Sequence, residues 1–370
     1  MKKSYEIDMC NGPLLGKILV FSIPLMLSGI LQLLFNAADI IVVGRFAGST
    51  ALAAVGSTAS LINLMINVFV GLSVGVNVLA ARYYGAQKEK DIQDTVHTAI
   101  MMAILSGLFL VVLGESASKP MLTLMGTPDD VLDQAALYLR IYFFGMPVLM
   151  IYNFGAALLR AVGDTRRPLY FLFAAGAVNV VLNLFFVIQL GMGVDGVAWA
   201  TVISECVSAG LIIRSLMKEN GAMKLHLTKL RIVSGKLTQI VRVGLPAGMQ
   251  GAIFSISNVL IQSSVNSFGS IAMAGNTASS NIEGFVYTAM NAVYQTSLSF
   301  TSQNLGGEKF SRIDKIKNIC LGVVTVVGLV LGWGAVLGGH QLLGIYSSDR
   351  SFEPDAGAVG DFDLIPGLNA

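Results

Sequence analysis

Charge is the first thing in short supply in this 370-residue chain. Only 12% of the residues are Asp, Glu, Lys or Arg and 54% are hydrophobic, whereas a water-soluble domain carries about 25% charged residues. A soluble fold could not hide that much apolar surface, so a water-exposed globular enzyme or binding module is excluded. Cysteine is scarcer still. Cys10, Cys206 and Cys320 form an odd set without metal-ligand spacing, which argues against a disulfide framework or a zinc module. The three histidines, His97, His226 and His340, fall at span edges or in loops and read as structurally neutral. A GxxxxGK[ST] loop, a nucleophile elbow and a His/Cys cluster are all missing, so the sequence offers nothing for a nucleotide-driven or hydrolytic machine. The chain does not read as an enzyme, and no cofactor is expected.

What is there is apolar sequence in long runs, with a mean hydropathy of +0.70. Each run approaches the roughly 20 residues that cross a bilayer as a helix. Nine spans are expected, at about 18–43, 52–81, 96–114, 135–159, 169–191, 194–213, 240–265, 271–300 and 319–343. The runs are continuous rather than alternating, and lipid offers no partner to unpaired backbone groups, so the class is all-α and polytopic rather than a barrel. The first span is too long for a signal-peptide core and follows a Pro/Gly-bearing segment, so no cleavage is expected.

Net charge is only +2, but its placement is uneven. Of the 24 Lys and Arg, only Arg45, Lys119, Arg140 and Arg350 fall on one side of this span arrangement, and the other twenty fall on the opposite side. The positive-inside rule then places the N-terminus in the cytoplasm, in a multi-pass protein of the cytoplasmic membrane. Dispersed over five short loops, these basic residues do not make a nucleic-acid footprint.

The sequence also repeats itself. SIPLMLSGILQLLFNAAD aligns with GLPAGMQGAIFSISNVLI, pairing Pro24 with Pro246, Gly29 with Gly251 and Asn36 with Asn258; AVGSTAS (54–60) aligns with MAGNTAS (273–279), and YYGAQKEKDIQ with NLGGEKFSRID. Spans seven to nine are thus the counterparts of spans one to three. Six helices make one unit, and because six is even the two units run parallel. The expected organisation is a cytoplasmic N-terminus (1–17), a six-helix N-lobe (18–216), a cytoplasmic linker (217–239), an incomplete three-helix C-lobe (240–345) and a non-membrane tail (346–370). That acidic, Pro/Gly-bearing tail reads as the product of a truncation or frame disruption.

Polar residues inside the spans point to an ion path. Gln32, Asn36 and Asp39 share one face of span one, and a charge in lipid costs at least a few kcal/mol, so the face is expected to line a cavity. Asn179 and Asn183 share a face of span five, and Thr201 and Glu205 a face of span six. Amide, hydroxyl and carboxylate oxygens suit a hard cation such as Na⁺. Glu205 and Glu283 are further titratable candidates, alternatively paired inside the bundle. Met65, Met150, Tyr287 and Asn291, with Gln32, are candidate walls of a substrate cavity. Gly71 and Gly75, four apart, read as a close helix contact.

NAADIIVVGRFAGSTALAAVG, AARYYGAQ and above all LLRAVGDTRRPLY (158–170) resemble the MATE family of multidrug and toxic compound extrusion transporters, over residues 12–346. The resemblance implies a secondary antiporter with two six-helix lobes around a central cavity. Its first-helix aspartate matches Asp39, and the amino-lobe cation site of DinF-like members matches Asn179 and Thr201, with Asn36 and Asn183 beside them. Asn183 stands where that site has a second aspartate, and Phe254 where NorM-like members carry a glutamate. The match implies Asp39, Asn179, Asn183 and Thr201 for H⁺ or Na⁺, to which the shared helix face adds Asn36, with Na⁺ at Asp39, Asn179 and Thr201; the missing carboxylate leaves either Asp39 alone or Glu205 as its substitute. The expected cargo is small, cationic and amphipathic, carried by a monomer in the bilayer. Rival readings are a lipid-linked oligosaccharide flippase, which the scarcity of Lys and Arg in the spans disfavours, and an inactive fragment.

Overall fold

In the computed structural model, residues 5–266 and 270–338 are described, and among them no strand occurs. Ten α-helices follow one another: α1 (Leu14–Val42), α2 (Ser49–Gly85), α3 (Glu89–Leu124), α4 (Asp129–Phe144), α5 (Met146–Ala161), α6 (Arg166–Leu184), α7 (Val194–Lys218), α8 (Ser234–Asn266), α9 (Ser270–Gly306) and α10 (Phe310–Leu337). Five-residue π-helical turns extend α1 over Val43–Ala47 and α6 over Phe185–Gln189. Among the described residues α1, α2, α3, α6, α7, α8 and α10 are each long and apolar enough to cross a membrane, and α4 with α5 adds an eighth where the bent pair counts as one span. The all-helical, multi-pass architecture read from the apolar runs is the one the chain adopts.

Two expectations change in detail. The span expected at 135–159 is two helices bent by 48°. Gly145 sits at the break, and Pro147, in the first turn of α5, has no N–H to offer the carbonyl four residues back. The span expected at 271–300 lies in α9, which is not among the apolar set. Its second half carries Thr296 and Ser299, fully buried, together with Gln303 and Asn304, because α9 packs against α1, α2, α8 and α10. The expected tail 346–370 and His340 lie outside the described residues.

The helices alternate in direction, so the basic loops gather at one end of the bundle, called here the basic end. There the repeat shows in the backbone. The α2–α3 turn places Gln87 at φ 55° and the α9–α10 turn places Glu308 at φ 56°, two non-glycine residues in the left-handed region at matching positions of the repeat. Close by, a Cβ on Gly85 would lie 2.0 Å from the Gln303 carbonyl oxygen, and one on Gly306 would lie 1.8 Å from the Arg82 carbonyl oxygen. Backbone meets backbone in both directions, and only glycine permits the approach. The α2–α8 crossing is equally tight, with Gly71 and Gly75 of α2 set against Gly244 and Gly248 of α8. Hydrogen bonds from Asn77 to Ser299 (2.9 Å) and from Asn67 to Ser255 (2.8 Å) join the two repeats further along.

The segment before α1 is strapped across this end. Met9 is fully buried against Leu14, Ile18, Phe300 and Ile316, and its carbonyl accepts from Asn304 (3.0 Å). Lys309 donates to the Cys10 carbonyl (3.1 Å) and Arg312 to that of Gly12 (3.1 Å). On the other side Glu6 accepts from the Tyr84 hydroxyl (3.0 Å), and Ile7 lies so close to Gly163 that a Cβ there would sit 2.5 Å from its carbonyl oxygen. The inter-repeat connection is fastened to α3 by Lys236–Asp91 (2.5 Å), Arg231–Asp94 (2.6 Å) and the Val233 amide on Thr98 (3.1 Å). His97 is buried, with Nδ1 on the Gln93 carbonyl (2.7 Å) and Nε2 accepting the His226 amide (3.2 Å).

The GDTRRP element is also a fastener. Asp164, fully buried, accepts the backbone amides of Arg166 and Arg167 at 3.0 and 3.1 Å and pairs with the Arg167 guanidinium. Arg167 pairs in turn with Glu219 and donates to Ser215 (2.9 Å), tying the start of α6 to the end of α7.

Candidate ion-coupling site

Asp39 lies in the last third of α1, away from the basic end, where α1 packs along α6. Helical spacing on α6 stacks Asn183 and Asn179 one turn apart, and α7 brings Thr201 up to them. The result is a ladder of hydrogen bonds. The Asn183 amide donates to Asp39 and to the Asn179 carbonyl oxygen (3.2 Å), the Asn179 amide donates to the Thr201 hydroxyl (3.4 Å), and Thr201 donates to the Val197 carbonyl (3.0 Å). Asn183 is fully buried and Asn179 is 5% exposed. Three segments distant in sequence are held together here by neutral groups surrounding one carboxylate.

Asp39 is the only charged member of the ladder, and no cation pairs with it among the described residues. Asn183 Oδ1, buried, has no hydrogen-bond partner among the described residues. An orphaned acceptor beside an uncompensated carboxylate is an arrangement that a proton donor or a bound cation would complete. Carboxylate, amide and hydroxyl oxygens are hard-cation ligands, so the residues present fit Na⁺ as well as H⁺.

The structure treats the other sequence candidates unequally. Asn36 and Gln32 are exposed on α1 and make no hydrogen bond among the described residues, so Asn36 stays outside the ladder. Glu283 and Tyr287 are exposed on α9, Tyr287 stacking on Phe254 with ring centroids 5.8 Å apart, and Asn291 is half-buried on the same helix. Met65 and Met150 belong to the hydrophobic core, Met150 with no exposed surface, so in this state they pack helices together and do not line an open wall. Composition identifies soft apolar residues but not which face they occupy. Two residues passed over in the sequence are Tyr138 and Tyr142 of α4, stacked 6.0 Å apart within electrostatic range of Asp39 and Glu205. Their spacing of four was the available signal. A cleft of about 1390 Å³ opens at the basic end between Tyr84, Arg167, Arg214 and Lys218; it includes no ladder residue.

A profile of the MatE family matches residues 24–185 and again 246–357, the two segments beginning at the prolines that the internal repeat pairs. The chain belongs to the MatE family. Relatives of this MatE protein include the probable multidrug resistance protein YoeA of Bacillus subtilis, 29% identical over 340 residues, covering 90% of this chain and 73% of YoeA. The FAD transporter of Shewanella oneidensis is 24% identical, over 92% of this chain and 76% of its own length. Among solved structures, a multidrug resistance MATE transporter of the MOP superfamily in an outward-facing conformation superposes with a TM-score of 0.86 at 23% identity, covering 94% of this chain and 77% of its own. A MOP superfamily transporter from Pyrococcus furiosus superposes with 0.87 at 23%, covering 95% and 79%. This MatE chain is a multi-pass membrane transporter and not an enzyme.

Proposed function

We propose that this MatE protein exports small, cationic, amphipathic toxic compounds in exchange for H⁺ or Na⁺, with Asp39, Asn183, Asn179 and Thr201 binding the coupling ion. The observation that supports it is the lone carboxylate of Asp39 held among neutral partners next to the orphaned Asn183 Oδ1. Ionised, the ladder carries one uncompensated negative charge; with H⁺ or Na⁺ bound it is neutral. An ion that changes the charge of a buried site changes the relative stability of two conformations, and that difference is all that coupling requires. The names of its multidrug relatives favour export of drug-like compounds over flipping of a lipid-linked oligosaccharide.

In this reading the basic end faces the cytoplasm, following the bias of Lys and Arg, and the chain works as a monomer in the cytoplasmic membrane. The strap, the glycine crossings and the linker then close the cytoplasmic side, leaving the state described here poised to exchange cargo for an ion from outside. In reconstituted vesicles, substrate efflux is expected to respond to an imposed H⁺ or Na⁺ gradient, and Asp39→Asn to abolish that response while cargo binding persists. Export by Asp39→Asn with an intact ion dependence would sink the assignment.

A further inference from the structure

The ladder has another rung. One turn beyond Thr201 on the same face of α7, about 6 Å along the axis, stands Glu205. Its carboxylate is directed at the break between α4 and α5. Oε2 lies 3.4 Å from the point a Cβ would occupy on Gly145, and the Tyr142 carbonyl oxygen lies 3.3 Å from that same point. The Gly145 amide donates to the Tyr142 carbonyl (3.0 Å), so Glu205 Oε2 stands beside the break with no donor directed to it. The Glu205 side chain makes no ion pair and no hydrogen bond among the described residues. The titratable groups around it are Tyr142 and Tyr138 of α4, Cys206 on its own helix and, across the tyrosines, Asp39 of α1; no charged group of α2, α5 or α6 enters its surroundings.

A carboxylate in the middle of a membrane-spanning helix with neither cation nor donor bears its desolvation cost unrelieved. At the break Pro147 has no N–H for the Phe143 carbonyl, and the Gly145 amide turns back to the carbonyls before it. We propose that Glu205 is a second proton-binding group of the six-helix unit, filled and emptied in the same cycle as Asp39. On protonation an O–H bond forms on the carboxylate and one breaks in hydronium, leaving water. The neutral acid then has an O–H to offer beside the break, which the ionised form lacks, so the packing at Gly145 depends on the proton. This rests on the antiporter reading above and adds the residue that carries a further charge.

Infrared difference spectra of the purified full chain between acid and neutral pH count buried protonated carboxyls directly through their C=O stretch, without any transport step. Among the carboxyl bands of the wild type, two are expected to belong to Asp39 and Glu205. Asp39→Asn removes one, Glu205→Gln the other, and Glu205→Asp shifts the second without removing it. In vesicles Glu205→Gln is expected to halve the protons moved per substrate. A Glu205→Gln spectrum identical to wild type overturns the proposal; if that variant does not fold, an unshifted second band in Glu205→Asp does the same. Wild-type export indifferent to any ion gradient would remove the antiporter reading, while the band assignment would still decide whether Glu205 binds a proton.

Discussion

Replace Gly75 on α2 with alanine and the new Cβ meets main chain, 2.3 Å from the Ile240 carbonyl oxygen and 2.9 Å from the Gly244 nitrogen. Ordinary contact begins near 3.4 Å, so α2 and α8 must part by about 1 Å. No side chain can swing aside to absorb this. Overpacking of this kind costs about 1–3 kcal/mol, and alanine recovers up to about 1 kcal/mol of helix propensity. Gly56 provides the control, because on the same helix a Cβ there meets nothing within 4 Å and alanine brings the propensity gain alone. The propensity gain is common to closed and opened molecules while the clash falls on the closed basic end alone, so the population of opened molecules should rise by about 5- to 150-fold. Cys10 reports it. Its thiol lies 3.6 Å from the Gln303 carbonyl oxygen under the strap, and burial pushes its pKa up, so a membrane-impermeant maleimide reacts with it slowly while the end stays shut. Gly75→Ala should label Cys10 at least several-fold faster than Gly56→Ala. Equal rates in the two variants would show that this crossing does not hold the basic end closed.

Other expectations follow from the fasteners and the ladder. Arg167→Ala leaves fully buried Asp164 without its guanidinium, a loss of about 3–5 kcal/mol, visible as a lower thermal midpoint; lysine at this position should not restore it, because one ammonium cannot reproduce the fork between Asp164 and Glu219. Asn183→Ala removes the donor of Asp39 and should cost about 1–3 kcal/mol in the same assay, whereas Asn183→Asp sets two carboxylates in contact and should add a protonated-carboxyl infrared band at neutral pH. The side-chain hydrogen bond from Asn11 holds Asp8 below the usual carboxylate range. A depressed folded-state value contributes stability above the unfolded value, lost as pH falls through the folded one. Cys10 labelling corrected for thiolate fraction should therefore stay level down to about pH 4 and climb below it, and Asp8→Asn should flatten that step.

How much of this could be read from the chain depended on which physical quantity decided each feature. The apolar runs located the membrane helices because bilayer thickness imposes a length, and the repeat was visible because Pro24, Gly29 and Asn36 recur at one offset. The break at Gly145 was missed because the apolar run passes through it unbroken, and the weight of Pro147 depends on its place in the turn. Asp39, Asn179, Asn183 and Thr201 were legible as helix faces, and the structure joins those faces. Asn36 shows the limit: it shares a face with Asp39 in sequence, yet its side chain is exposed while Asp39 is met by Asn183. The strap and linker contacts had no sequence signal: Asn304, Lys309 and Arg312 bind backbone carbonyls, which every residue possesses, and the linker's Lys236 and Arg231 pair with Asp91 and Asp94 far away in the chain.

The contacts at Gly85 and Gly306 carry one more consequence. Gly85 faces Gln303 and Gly306 faces Arg82, and the repeat makes Arg82 the equivalent of Gln303 as it makes Gly85 the equivalent of Gly306. Residue i meets residue j while the copy of j meets the copy of i, which is the self-complementary pattern of an isologous dimer drawn into a single polypeptide. Such a joint has two equal halves that open together, so a lesion in either copy should release both.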